Sequence, residues 1–160
     1  MKSTILFAAA FAMGILYPAQ SSAAQDTELV PLIEILGQVA DTADGDTTKV
    51  IYLMQRCSGL QLALSSLFED SSPDLAKIAV ALSSSFAMQA ATLRINLAKE
   101  RGVSDPDVER MAIEVRELVT LLYQDYLDWA NNNYRTKGAY FESDAQLQQE
   151  IEICNALAEN

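Results

Sequence analysis

The sequence predicts an all-α protein, an antiparallel bundle of four to five helices stapled by one disulfide. Three observations predict it. Apolar residues recur at steps of three and four along almost the whole chain after residue 25, the period of one helix face. The alternating pattern of a half-buried strand is almost absent. The two cysteines, Cys57 and Cys154, fall on the apolar stripes of two different segments, so they can meet across a bundle. Connections of about 2–8 residues favour antiparallel neighbours.

Met1 to Ala24 reads as a secretory signal peptide. Lys2 supplies the positive start, Ile5 to Leu16 an apolar run, Pro18 its end, and Ser21 to Ala24 small residues for cleavage. The run is shorter than the ~20 residues a membrane span needs. No second hydrophobic span is read after it. The expected mature chain is one helical domain over residues 25–160, exported to a periplasm or the exterior. In that oxidising setting an even pair of cysteines is most simply a disulfide.

The first segment runs from Glu28 to about Ala40, with Leu29, Leu32, Ile33, Leu36 and Val39 as its stripe and Pro31 in the first turn. A polar break follows, Asp41 to Thr48, with Gly45 inside it. The second segment, Thr48 to Phe68, carries a heptad seam of Val50, Leu53, Cys57, Leu60, Leu64 and Leu67. Ser72 and Pro73 open the third segment, which runs to about Arg101, where Gly102 stops it. Its expected buried face holds Leu75, Ile78, Leu82, Phe86, Leu93 and Leu97. The fourth starts at Ser104 or Asp105 and ends near Asn131 to Asn133. Its seam is Val108, Met111, Val115, Leu118, Leu122 and Trp129, with Tyr126 beside it. Tyr134 to Phe141 is expected as a loop. Ser143 or Asp144 caps the fifth, which presents Leu147, Ile151, Cys154 and Ala158 on one face as far as Ala158.

Composition excludes several chemistries. The 160 residues hold 22 Asp and Glu against 11 Lys and Arg, a net charge of −11. That argues against nucleic acid, which needs clustered cations, and against an anionic membrane surface once the signal is cleaved. Histidine is absent, which removes histidine-based acid–base catalysis, most zinc sites and histidine-ligated haem. No metal or cofactor is expected.

Five constellations carry residue types that could form a site. Asp41, Asp44 and Asp46 surround Gly45, but their spacing does not fit a calcium loop. The pairs Asp125 with Asp128 and Glu114 with Glu117 read as charged helix faces, since catalytic carboxylates need unequal environments. Arg56 beside Cys57 would make a reactive thiolate only if the cysteine were free. Met54, Met88 and Met111 are dispersed and fill core. The remaining cluster is aromatic: Tyr123, Tyr126, Trp129, Tyr134, Tyr140 and Phe141, with Arg135 and Lys137 in the same stretch. Rings with a polar handle are favoured at binding surfaces, so Tyr123, Tyr126, Trp129, Tyr134, Arg135, Tyr140 and Phe141 form the candidate binding set. The competing interpretation is that they close one end of the bundle.

The stretch Tyr52-Leu53-Met54-Gln55-Arg56-Cys57-Ser58-Gly59-Leu60, with a late single cysteine and an export signal, resembles a loose set of small exported all-helical proteins of marine bacteria and phages. The resemblance covers the first long helix and otherwise only the architecture. It implies no activity and no site residues. The function expected is therefore that of a non-catalytic exported protein that binds a protein partner or a small apolar ligand. A structural or protective envelope protein, chaperone-like or inhibitor-like, is the alternative. A carboxylate-dependent hydrolase is the remote one.

Overall fold

The computed structural model describes residues 29–40 and 46–159. The expected signal peptide, Asp41 and Asp44 lie outside the described residues. Five helices follow in order, α1 (Leu32–Ala40), α2 (Thr47–Phe68), α3 (Pro73–Glu100), α4 (Val108–Lys137) and α5 (Ala145–Ala158), with no strand among the described residues. Helix α2 lies at the centre and packs against the other four. Nine consecutive residues of it, Leu53 to Gln61, are all buried. A helix with one covered stripe cannot do that; only one surrounded by neighbours can.

The helix ends follow local chemistry. Asp46, Asp107 and Asp144 each accept a backbone N–H two or three residues on, which satisfies donors that a helix start leaves free. Pro73 opens α3 at a position that needs no N–H; the Ser72 side chain makes no capping bond there. Gly102 and Gly138 end α3 and α4 at φ +88° and +76°, left-handed angles open to glycine.

Several element boundaries and faces differ from expectation. Helix α1 starts at Leu32, because Pro31 supplies the first accepting carbonyl from outside the helix. Its covered residues are Leu32 and Ile35, while Ile33 is 44% exposed. Helix α4 starts at Val108 and does not stop at the asparagines; it continues to Lys137, so half of the expected Tyr134–Phe141 loop is helical. The reason is tertiary: Asn133 is buried and its amide donates to the Tyr140 carbonyl and to Asp144.

The largest difference lies in α3. Leu75 and Ile78, expected inside, are 51% and 57% exposed, and the covered positions are Ala76, Ala79, Ser83, Phe86 and Ala90. Small residues let α3 come close to α2, where Ser58 Oγ donates to the Ser83 carbonyl at 2.9 Å. Helix α4 crosses α2 as closely. A Cβ on Gly59 would stand 2.7 Å from Leu122 Cβ and 3.1 Å from the backbone of Leu122 and Tyr123. Gly59→Ala should therefore destabilise the fold by about 1–3 kcal/mol, although alanine is the better helix former by ~1 kcal/mol. Urea denaturation reads the sign; a stabilised variant would show that the crossing is loose.

The staple is formed as expected. Cys57 and Cys154 are bonded, with Cα atoms 5.3 Å apart, and tie α2 to α5.

Candidate functional site

One residue from the disulfide, α2 carries Arg56, which is fully buried. Each of its three guanidinium nitrogens has a hydrogen-bond partner. Nε donates to the Tyr126 hydroxyl of α4 at 2.8 Å, one terminal nitrogen to the Val30 carbonyl at 2.9 Å, and the other to Glu150 of α5 at 2.7 Å. The Tyr126 hydroxyl in turn donates to Glu150. The second Glu150 oxygen accepts the Leu32 N–H at 3.3 Å and the Gln146 amide at 3.5 Å. Four parts of the chain thus converge on one ion pair: α2, α4, α5 and the entry to α1.

The electrostatics follow from this closure. Burial works against the Arg56 charge, but Tyr126 and Glu150 beside it hold the guanidinium above its ordinary value. Burial pushes the Tyr126 hydroxyl well above the ordinary tyrosine value; Arg56 opposes that shift and Glu150 adds to it. A general acid or base must reach its substrate, within about 3 Å or through one water. Arg56, Tyr126 and Glu150 are each no more than 1% exposed, so this cluster reaches only its own partners. It is a structural knot, and the Cys57 sulfur beside it is bonded, not a thiolate.

The candidate aromatic set divides. Tyr126 belongs to the knot, with Trp129 stacked near it at 6.2 Å between ring centroids. Trp129 donates its indole N–H to Asp144 at 2.9 Å, which pins the cap of α5. Burial pushes the Asp144 carboxyl up, yet bonds from the Leu147 N–H, Trp129 and Asn133, with Lys137 nearby, hold it below its ordinary value. Tyr123 shares a hydrogen bond with Ser66 at 3.2 Å. At the end of α4, Tyr134 stacks on Tyr140 at 4.6 Å, and the rings continue through Phe141 to Phe68. Only Tyr134, at 52%, and Arg135 are exposed. The rings thus form two separate groups, Tyr126 with Trp129 and Tyr134 with Tyr140 and Phe141, with Tyr123 in neither.

The carboxylate pairs stay on helix surfaces. Glu114 is shared between Arg94 and Arg110. Burial and the neighbouring Asp128 push Asp125 up, with Arg56 acting the other way, but the side chain stays exposed. No group of three or more potential metal-ligating side chains occurs among the described residues.

Large apolar residues are exposed on both long outer helices: on α4 Val108, Ile113, Leu121 and Tyr134 stand among charged residues, whereas on α3 most of them lie in an uncharged stretch. Leu75, Ile78, Val80 and Met88 are 51%, 57%, 47% and 68% exposed. From Ile78 to Leu93 the helix carries no charged residue. Contrary to the expectation of no second hydrophobic span, α3 is long and apolar enough to cross a membrane by length and composition, and 22% of that stretch is buried. Sequence periodicity could have exposed this surface: α3 has apolar or small residues on all sides, more than one core contact needs.

No known protein family, curated protein or solved structure matches this chain.

Proposed function

We propose that this protein is exported and acts without catalysis, by binding a protein partner through the outer face of α3. The observation that carries this reading is the uncharged stretch from Ile78 to Leu93, whose outer face is exposed at Ile78, Val80 and Met88, on a chain of net charge −11. Exposed apolar surface of this kind, rimmed by polar residues, marks interaction sites. The closure of Arg56, Tyr126 and Glu150 on one another supports a structural role for this buried ionic cluster. The Cys57–Cys154 bond supports an oxidising compartment.

A small apolar ligand is the second reading. A groove of about 500 Å³ between the end of α2 and the start of α3, lined by Ser65, Ser66, Glu69, Lys77 and Val80 among others, favours it.

Native mass spectrometry of the protein isolated from the exported fraction tests the proposal. The expected chain begins near Gln25, lacks two hydrogens relative to the dithiol, and retains a noncovalent protein partner that Met88→Glu removes. An uncleaved chain with free thiols would overturn export, and a partner insensitive to Met88→Glu would overturn the assignment to α3.

A further inference from the structure

The outer face of α3 has an internal symmetry. Starting at Asp74 and stepping by four and three in turn, one reaches Ile78, Ala81, Ser85, Met88, Thr92, Ile95 and finally Lys99. This is a heptad seam, distinct from the covered positions Ala76, Ala79, Ser83, Phe86 and Ala90. Its ends are 25 residues apart, about seven turns, so Asp74 and Lys99 lie on one line of the helix. The order of steps is the same read in either direction.

We infer that this seam pairs with the same seam of a second copy of the chain, antiparallel, across a two-fold axis at the middle of α3. The inference rests on the binding reading above and names its partner. A two-fold interface places the same patch on both subunits, so residue i meets j and j meets i. With the helices fully overlapped, Asp74 faces Lys99 of the second copy at both ends. Ile78 faces Ile95, Ala81 faces Thr92, and Ser85 faces Met88 beside the axis. Apolar residues meet apolar or small ones, and the terminal charges are opposite in sign.

Charge favours this occupant. Two chains of −11 repel each other, and the seam is where they can meet with no charge over its middle and with attraction at its ends. An interfacial membrane helix carries cations along its polar face, whereas this seam begins with a 95% exposed carboxylate that already neutralises the nearby cation, Lys77, at 3.1 Å. Covering the seam also leaves its polar groups satisfied. Thr92 donates to the Met88 carbonyl at 2.9 Å, and Ser85 Oγ accepts from the Gln89 amide at 3.3 Å. The contact runs for about 40 Å along each helix.

Sedimentation equilibrium of the oxidised mature chain across the micromolar range tests the pairing. The expected result is a monomer–dimer equilibrium that Met88→Glu or Ile78→Glu weakens at least tenfold, with helix content and thermal midpoint retained. Asp74→Lys and Lys99→Glu should each weaken the dimer, and the two together should restore it, which fixes both direction and register. A dimer indifferent to Met88→Glu, or a double charge reversal that rescues nothing, would overturn the inference. A chain that stays monomeric yet keeps a Met88-dependent partner of another kind, or binds phosphatidylglycerol vesicles through α3, overturns the second copy as occupant. The vesicle result would also overturn the protein-partner reading; the other would leave that reading standing. A monomer in which Met88→Glu changes no association overturns both.

Discussion

Glu150→Ala is expected to destabilise the domain by about 3–5 kcal/mol, because it leaves the Arg56 guanidinium buried without its counter-charge. The Tyr126 hydroxyl and the Leu32 N–H lose their acceptor in the same step. A folded domain is stable by only about 5–15 kcal/mol, so this single change approaches the margin. Glu150→Gln should cost less, since the amide oxygen still accepts hydrogen bonds while the charge is gone. Replacing both ends, Arg56→Met with Glu150→Leu, should recover most of the loss, because the cost lies in breaking the pair, not in lacking it. The midpoints and slopes of urea unfolding measure all three. If Glu150→Ala unfolds at the parent midpoint, Arg56 must be reaching water, and the knot is not closed.

Removing the disulfide is the second large effect. The bridge spans 97 residues of sequence, for which constraint of the unfolded chain is worth up to about 4.7 kcal/mol. Cys57→Ala with Cys154→Ala should approach that figure in the loss of unfolding free energy. The loss should also have a location. Helix α5 meets the rest of the bundle at α1 and α2 and, through the Tyr126 hydroxyl, at α4, whereas α2, α3 and α4 pack extensively on one another. Amide protection should therefore disappear first across Ala145–Ala158 and α1, while α2 to α4 stay protected. The two predictions are coupled. If α5 detaches, Glu150 leaves Arg56, so a double-mutant cycle between the cysteine pair and Glu150→Ala should be strongly non-additive. Additive effects would mean that the bridge and the ion pair hold α5 independently.

Local chemistry made some of the helix ends legible. Pro73, Gly102 and Asp144 do what their residue types dictate, with no reference to the rest of the chain. The heptad seam of α2 was legible too, and with it the meeting of Cys57 and Cys154, because a period of three and four places both on covered stripes. The covered face of α3 was legible only in part: Phe86 is buried and Leu82, Leu93 and Leu97 pack against the core, but Leu75 and Ile78 stay outside. Leu75 and Ile78 outrank Ala76 and Ala79 in hydrophobicity, but close contact with α2 selects small side chains over large ones. Nor was the length of α4 legible, since Asn133 reads as a helix stop until Tyr140 and Asp144 accept its amide.

The candidate site divides along the same line. Tyr126 was singled out as a ring with a polar handle, and its hydroxyl does find partners, but inside the knot. Arg56 was visible only as a neighbour of Cys57, and Glu150 as one acidic residue on a short helix. The sequence alone determined the five helices, the ends of α3 at Pro73 and Gly102, the Asp144 cap of α5, the staple and the absence of histidine, because these depend on residue type and short-range spacing. Only the tertiary structure decided that Arg56 and Glu150, 94 residues apart, are buried as a pair, and that α3 keeps an uncharged seam outside. Burial is a property of what packs against a residue. An arginine or glutamate enters the core only when its counter-charge arrives from another helix, and no local pattern records that arrival.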